Sequence, residues 1–214
     1  MLGCSNSGDA PEVNAVVTAA KVLAAGGLIV YPTETVYGLG ADASNPAALD
    51  RLVALKVREA GKPISVLVSD MEMLGELVRD VSPLATKLMR VFWPGPLTIV
   101  LRARETMSPI LTGDSDGIGV RVSSHPTATA LVRALGRPLT TPSANPAGQP
   151  PPIAVGAARA YFASRVECYL DGGRLRGEPA STVVDARGEW RVIREGAISR
   201  AALAAALCSE DLSW

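Results

Sequence analysis

The segment Tyr31-Pro-Thr-Glu-Thr-Val-Tyr-Gly-Leu-Gly40 decides the fold and gives the first indication of a site. It follows the apolar residues Leu28 to Val30, which predict a buried strand. Pro32 lacks a backbone donor and is expected to end that strand, while Gly38 and Gly40 permit a close approach of the backbone. The hydroxyl and carboxyl groups between them either cap a following helix or line a binding site, and the segment alone leaves both alternatives open.

The composition indicates one globular domain. The chain has 214 residues, of which 48% are hydrophobic and 20% are charged, so it is long enough to bury a full core. Its formal net charge is zero, so a nucleic-acid contact requires a local basic patch. The sequence predicts disordered tails at residues 1–10 and 208–214 around a domain at 11–207. No apolar run approaches the ~18 residues of a membrane-spanning helix, which predicts a chain without a membrane span.

Cysteine and histidine are too sparse to suggest a metal site. Cys4, Cys168 and Cys208 are far apart and lack CxxC spacing, which argues against a disulfide framework and against bound zinc. This usage fits a reducing cytoplasm. His125 is the only histidine and is followed by Pro126, so neither metal ligation nor a Ser-His-Asp triad is favoured.

Helical and extended patterns alternate along the chain, which is typical of an α/β fold. Helices are predicted at 12–25, 46–57, 71–78, 84–92 and 126–135, and from 199 onward. Strands are predicted at 28–31, 64–68, 97–101, 119–122, 138–141, 167–170, 181–185 and 190–194. The turn Ala186-Arg-Gly-Glu189 predicts a hairpin between the last two strands, and therefore a mixed sheet.

Three cations lie at one predicted helix-to-strand junction. Lys56 continues the apolar stripe of the helix at 46–57, so its side chain either extends to solvent at the helix end or belongs to a site. Arg58 and Lys62 follow it closely, and three cations together indicate an anion site. The chain has neither a P-loop motif nor GxGxxG after a strand, so phosphate would be bound by side-chain cations.

Polar groups also follow or interrupt three later strands. Arg121 lies inside an apolar strand, where its stem packs on the sheet or its guanidinium binds a carboxylate with two hydrogen bonds. Thr140-Thr-Pro-Ser-Ala-Asn-Pro146 and Ser181-Thr-Val-Val-Asp185 place hydroxyl and amide groups at strand ends. Each segment is also typical of a turn, but together they supply groups that orient a small polar substrate.

The order of these motifs resembles the YrdC/TsaC family of L-threonylcarbamoyl-adenylate synthases, in its single-domain form. The resemblance spans about Val13 to Ala201 and rests on PTETVYGLG, Lys56-x-Arg58 with Lys62-Pro63, VRVSSHP, Pro142-Ser-Ala-Asn145 and Ser181-Thr-Val-Val-Asp185. It implies an α/β fold with a twisted mixed sheet, flanked by helices, around a basic concave cleft. It also implies ATP-dependent synthesis of threonylcarbamoyl-adenylate from L-threonine, bicarbonate and ATP with Mg²⁺. Pyrophosphate is released, and the product passes to a cytoplasmic complex that threonylcarbamoylates tRNA.

The resemblance further implies roles for individual residues. Lys56 and Arg58 are expected to be catalytic. The residues expected to bind threonine are Thr35, Arg121, Thr141 and Ser181. Those expected around the nucleotide are Lys56, Arg58, Lys62, Ser143, Asn145, Pro151 and Arg194. Leu67 stands where some members carry a histidine, and the second domain of longer members is not found in this sequence, so one substrate contact and the cover of the cleft are expected to differ.

Two other interpretations remain. A basic cleft also suits an RNA backbone, although the zero net charge and an aromatic content of 4% do not favour a non-catalytic RNA-binding module. The YrdC-like module of hydrogenase-maturation carbamoyltransferases is the second, but those chains are longer and carry cysteine-rich parts that this sequence lacks. Salt-dependent RNA binding without ATP turnover would favour the first, and consumption of carbamoyl phosphate the second.

Overall fold

The computed structural model describes residues 13–57, 61–177 and 179–208. The helices are α1 (Val13–Ala24), α2 (Pro46–Lys56), α3 (Met71–Leu77), α4 (Pro83–Phe92), α5 (Pro109–Thr112), α6 (Pro126–Leu135), α7 (Val155–Phe162) and α8 (Arg200–Cys208). The strands are β1 (Ile29–Tyr31), β2 (Gly38–Gly40), β3 (Val66–Leu67), β4 (Leu97–Arg102), β5 (Gly117–Arg121), β6 (Leu139–Thr140), β7 (Cys168–Tyr169), β8 (Thr182–Asp185) and β9 (Arg191–Arg194). The predicted α/β class is confirmed.

The larger sheet is mixed, as predicted. Its strand order is β6-β3-β5-β4-β8-β9. The pairs β3–β5 and β4–β8 are parallel, whereas β3–β6, β4–β5 and β8–β9 are antiparallel. The predicted hairpin joins β8 to β9, with Asp185 opposite Arg191. Leu97, Ile99 and Leu101 of β4 face the buried core, so the alternate residues of that strand face the other side of the sheet.

The segment after β1 folds back on itself to form β2, and a smaller sheet has the order β2-β1-β7. Glycine is needed here, because a Cβ at Gly38 would lie 3.0 Å from the Tyr31 ring and one at Gly40 would lie 2.9 Å from Ile29. The interpretation of this segment as the cap of the next helix is wrong, since Asn45 caps α2 by accepting a hydrogen bond from the Ala48 amide. The residues between β1 and β2 are therefore left in a loop.

A polar cap followed by proline begins each of the helices α2, α4 and α6. In α6 the cap is His125, whose Nδ1 accepts from the Thr127 amide at 3.2 Å. The only histidine in the sequence therefore has a local structural role.

The structure differs from the sequence predictions at short elements. Helices α5 and α7 were not predicted: α5 is a single turn, and α7 buries only Ala158 and Phe162, so neither carries a strong apolar repeat. Cys208 ends α8 rather than beginning a tail, and the remaining residues of both predicted tails lie outside the described ranges. None of the described helices combines the length and apolar character needed to cross a membrane.

Candidate active site

A cavity of about 350 Å³ lies over the face of the larger sheet that is turned away from the core. Its floor consists of alternate residues of the two central strands: Thr98 and Val100 of β4, and Gly117, Gly119 and Arg121 of β5. The walls come from the loop between β1 and β2, the segment 141–143 after β6, and residues of β8 and β9. Strand alternation thus turns one face of the sheet into a cleft, which we call the sheet cleft.

Most of the residues expected from the sequence meet in the sheet cleft. Those that line it are Thr35, Arg121, Thr141, Ser143, Pro151, Ser181 and Arg194. Lys56, Lys62 and Asn145 do not line it, and Arg58 lies outside the described residues. Residues from the loop between β1 and β2, from the strands β5 and β9, and from the segments after β6 and before β8 therefore contribute to one cavity.

Arg121 is buried at the end of β5. Its Nη2 atom lies 2.5 Å from Glu34 Oε1, and its Nε donates to the Gly95 carbonyl at 3.2 Å. The arginine is therefore not held by stem packing alone, since protein groups already engage part of its guanidinium. A two-bond contact with a substrate carboxylate has to use the donors that remain.

Glu34 balances the charge of Arg121. Its second oxygen, Oε2, accepts from the Ser123 hydroxyl at 2.5 Å. Burial alone would raise the pKa of Glu34, but the Arg121 charge and the Ser123 hydrogen bond outweigh burial and lower it. Ser123 Oγ accepts from the backbone amide of His125, so the Ser123 hydroxyl and the imidazole do not form a triad.

A second arginine points to the same end of the cleft. Arg194 Nη2 donates to the Ser181 carbonyl at 2.8 Å and to its hydroxyl at 3.2 Å, and that hydroxyl lies 3.3 Å from Thr98 Oγ1. Burial and the nearby Arg121 charge lower the pKa of Arg194, which remains protonated at neutral pH. Glu34 already balances the charge of Arg121, so Arg194 is the cation that favours a negatively charged group at this end of the cleft.

The threonine hydroxyls in the loop between β1 and β2 are held in place by hydrogen bonds within the protein. Thr33 Oγ1 donates to the Val36 carbonyl at 2.7 Å and lies 3.1 Å from Thr35 Oγ1. The Thr35 carbonyl accepts from the Gly177 amide, which ties the loop to the segment before β8. Thr35 therefore presents its hydroxyl from a fixed position.

Lys56 lies behind the cleft wall and is only 3% exposed, so the interpretation that it extends to solvent is wrong. Its ammonium donates to the Ser143 carbonyl at 2.5 Å and to the Asn145 carbonyl at 2.6 Å. The Asn145 amide nitrogen donates to the Pro146 and Gln149 carbonyls, whereas its Oδ1 is buried without a hydrogen-bond partner among the described residues. Lys56 and Asn145 together fix the loop that carries Ser143.

The basic character predicted for the cleft stays a prediction. Arg121, Arg187 and Arg194 line the cavity, but Arg121 is paired with Glu34, and Arg187 with Asp185 and Asp116. Lys62 is exposed beside Pro63, which does line the cavity.

Several residues of the site were not identified from the sequence. Glu34 and Ser123 belong to the motifs that carry the resemblance, but nothing in a linear motif shows that they support Arg121. Thr98 lies in an apolar strand, and only the alternation of side chains along the strand indicates that it faces the cleft. Arg187 was interpreted as part of a hairpin turn, yet its side chain lines the cleft.

Across residues 13–57, 61–177 and 179–208, no group of three or more histidine, cysteine, aspartate or glutamate side chains is placed to hold a metal ion. The described part of the chain thus offers oxygen and nitrogen donors singly rather than as a metal-binding cluster.

The Sua5_yciO_yrdC family model, described as "Telomere recombination", matches residues 21–196. The chain belongs to this family. It is 38% identical over 172 residues to a threonylcarbamoyl-AMP synthase of Pyrococcus abyssi, which covers 80% of this chain and 50% of that protein. It is 41% identical over 160 residues to a threonylcarbamoyl-AMP synthase of Thiobacillus denitrificans, which covers 75% of this chain and 85% of that protein.

A solved structure of a Sua5/YciO/YrdC family member has the same fold. The crystal structure of P. abyssi Sua5 complexed with L-threonine aligns with a TM-score of 0.87 and 34% identity, over 91% of this chain and 58% of that one. The chain spans about half the length of the P. abyssi protein, so the similarity concerns one part of that longer relative.

Proposed function

We propose that the chain synthesises threonylcarbamoyl-adenylate from L-threonine, bicarbonate and ATP, with release of pyrophosphate. The observation that carries the proposal is that Arg121, Arg194 and the Ser181 hydroxyl, to which Arg194 donates, line one cavity together with Thr35 and Thr141. An amino acid with a carboxylate and a hydroxyl matches those groups. The names of the two relatives and the L-threonine in the P. abyssi structure support the same substrate and product.

In this proposal threonine binds at the Arg121 end of the cleft. Its carboxylate takes the guanidinium donors of Arg121 that Glu34 and Gly95 leave, while Thr35, Thr141 and Ser181 orient its hydroxyl and amine. The Arg121–Glu34 pair is neutral, so Arg194 supplies the additional positive charge near the carboxylate. ATP occupies the remainder of the cleft, against Ser143, Pro151 and Arg194.

Lys56 and Arg58 remain the proposed catalytic residues, with Lys62 and Asn145 at the nucleotide. Lys56 has a second role that the hydrogen bonds support, because it positions the loop carrying Ser143. Because Lys56 does not line the cleft, its proposed action on the phosphates is that of a buried positive charge behind the loop that carries Ser143.

The reaction needs no covalent intermediate with the protein. The threonine amine attacks the bicarbonate carbon and water leaves, which gives a carbamate. A carbamate oxygen then attacks the α-phosphorus of ATP, and the bond to pyrophosphate breaks. The protein is required to align the reactants, exclude water and neutralise charge, for which arginines, a lysine and hydroxyls are sufficient.

We propose that Mg²⁺ enters with ATP. Mg²⁺ is commonly held by nucleotide phosphates, water and only one or two protein oxygens, which fits a site whose described residues form no acidic cluster. The buried Asn145 Oδ1 is an oxygen donor of suitable type. The ion would neutralise phosphate charge when bound.

The wider role follows from the product. We propose that the adenylate passes to a tRNA threonylcarbamoyl-transferase complex in the cytoplasm. The names of the relatives favour this function over a non-catalytic RNA-binding module and over a carbamoyltransferase module. An RNA contact at the cleft stays a prediction, since Arg121 and Arg187 are already paired with carboxylates.

Product analysis with labelled bicarbonate tests the proposal. The protein is incubated with L-threonine, Mg-ATP and ¹³C-bicarbonate, and the products are separated and weighed by mass spectrometry. We expect threonylcarbamoyl-adenylate carrying one ¹³C atom, together with pyrophosphate. A carbamoylated product that forms only when carbamoyl phosphate replaces bicarbonate would support the carbamoyltransferase module instead. Salt-sensitive RNA binding without any product would support the RNA-binding module.

A further inference from the structure

Arg187 lies at the far end of the sheet cleft from Arg121 and is held in place by two carboxylates. Its Nε and Nη2 donate to the two oxygens of Asp185 at 2.9 and 2.7 Å, and its Nη1 donates to Asp116. All three nitrogens of the guanidinium are thus engaged in its own plane, so the plane of the group is fixed. Its side chain is 23% exposed and lines the cavity.

The orientation of that plane follows from Gly117. A Cβ built on Gly117 would lie 3.0 Å from Arg187 Nη1 and 3.1 Å from Cζ, with no other guanidinium atom as near. This Cβ position is almost equally distant from Nη1 and Cζ, so it lies either above the guanidinium plane or within that plane, at the side of the Cζ–Nη1 bond. A position within the plane would be nearer to a second guanidinium nitrogen than to Nη1, which is not observed. The guanidinium therefore lies flat over Gly117, with one face against the strand.

The opposite face is turned into the cleft. Gly117 belongs to the row of β5 residues that forms the cleft floor, so a group stacked on it presents its other face to the cavity. The cavity that this face adjoins also has apolar lining, from Val100, Val183 and Ile193. A planar cation with its nitrogens engaged and an apolar rim suits a flat aromatic ring by stacking and cation–π attraction.

We propose that the cleft-facing side of Arg187 is the platform on which the nucleobase of ATP stacks. This inference rests on the proposed function, because it assumes that the sheet cleft binds a nucleotide. Gly117 and Arg121 are four residues apart on one strand, which corresponds to roughly 13 Å. That separation leaves room for the phosphates and the ribose between threonine at Arg121 and the base at Arg187.

A binding experiment separates stacking from charge. The affinities of the full chain for ATP and for inorganic tripolyphosphate, which has no base, are measured by calorimetry. Arg187→Lys keeps the positive charge and a partner for Asp185 but removes the flat face. Arg191→Lys is the matched control, because Arg191 lies 3.5 Å from the same Asp185 oxygen but is 73% exposed and does not line the sheet cleft.

We expect Arg187→Lys to weaken ATP binding about tenfold and to leave tripolyphosphate binding within about twofold, while Arg191→Lys changes neither. Equal weakening of both ligands, or unchanged ATP binding, would overturn the stacking role. If Arg187→Lys does not fold, the wild-type protein alone tests the proposal. It should bind ATP about tenfold more tightly than ribose 5-triphosphate, which also has no base. Equal affinity there would contradict the proposal.

These outcomes are distinct from failure of the proposed function. If ATP binding depends on the base but pyrophosphate release does not depend on threonine, the proposed reaction is refuted and the stacking role of Arg187 still stands. Pyrophosphate release together with base-independent binding would refute the platform alone. A wild-type protein that binds no ATP would refute both.

Discussion

Arg121 and Glu34 form an ion pair at the floor of the sheet cleft, with 2.5 Å between Nη2 and Oε1 and side chains that are 4% and 16% exposed. A pair this buried is costly to break from one side, because the charge that remains has no counterion and little water. Glu34 therefore fixes the position from which Arg121 presents its remaining donors. The stability of the fold and the geometry of the proposed threonine site depend on the same contact.

Replacing Glu34 by glutamine is expected to destabilise the protein. Glutamine retains an acceptor for Ser123 but leaves Arg121 without a counterion, so the free energy of unfolding at pH 7 should fall by about 3 kcal/mol. Urea unfolding measures the difference. Glu167→Gln is the control: Glu167 also lies 2.5 Å from an arginine, but both side chains are more than 40% exposed, so its loss should be at most about 1 kcal/mol. Equal losses in the two variants would contradict the importance of burial.

The stabilisation by Glu34 should depend on pH in one direction. Its pKa in the folded protein is lower than the ordinary value of 4.5, so the folded state favours the ionised form. The resulting stability is present above about pH 4.5 and is lost as the pH falls towards the folded pKa. The difference in unfolding free energy between wild type and Glu34→Gln should therefore shrink on acidification from pH 7. A difference that stays constant or grows below pH 4.5 would show that the carboxylate charge is not responsible.

Arg121→Lys should affect threonine more than ATP. Lysine keeps a charge opposite Glu34 but has no planar fork, so the apparent KM for threonine should rise at least about tenfold, with a much smaller change for ATP. Steady-state kinetics with each substrate varied in turn measures both values. Arg102→Lys, at an exposed position on the neighbouring strand, is the control and should change neither. Equal increases for threonine and ATP in Arg121→Lys would refute the assignment.

Lys56→Ala should lower kcat by about two orders of magnitude, because it removes a charge proposed to act on phosphate oxygens. It also leaves the Ser143 and Asn145 carbonyls without their donor, so the melting temperature should fall. Arg58→Ala is expected to lower kcat to a similar extent. Lys21→Ala, which removes an exposed cation from the last turn of α1, serves as the control. Near-wild-type turnover in soluble Lys56→Ala and Arg58→Ala would exclude these residues from the nucleotide site.

The purified protein should contain no stoichiometric zinc, because its histidine and its cysteines do not supply a ligand cluster. Elemental analysis tests this directly, and about one zinc per chain would overturn it. Pyrophosphate release should nevertheless stop when EDTA removes Mg²⁺ and should return when Mg²⁺ is added in excess.

Most of the strands could be predicted because an apolar run and the turn residues that bound it are local signals. Arg121 is predicted inside the strand at 119–122 and Ser181 at the start of the strand at 181–185. In the structure Arg121 ends β5 and Ser181 directly precedes β8, and both strands pair with β4, so the two residues line one cavity. Lys56 was also placed on an apolar stripe, and its burial confirms that pattern. Its partners could not be predicted, since Ser143 and Asn145 are 87 and 89 residues away in the chain.

The same limit explains the other differences. Strand β2 consists of Gly38, Leu39 and Gly40, a sequence of low strand propensity, and it forms because distant groups pair with it. One of these contacts is the hydrogen bond from the Leu39 amide to the Pro142 carbonyl. Glu34 could not be assigned either, because the direction of a side chain in an irregular loop depends on tertiary contacts. Strand β2 and the position of Glu34 therefore depend on contacts between residues distant in the chain, which local propensity does not show.

Pyrophosphate release across a panel of amino acids tests the central claim most directly. With bicarbonate and Mg-ATP present, we predict rapid release with threonine, weaker release with serine and very weak release with valine. Serine loses only a methyl contact, worth about 1–3 kcal/mol, whereas valine leaves the hydroxyls of Thr35, Thr141 and Ser181 unpaired, which can cost up to roughly 10⁴-fold. Omission of bicarbonate should abolish release with every amino acid. Release that is independent of the amino acid, or equal for threonine and valine, would contradict a threonine-specific adenylate synthase.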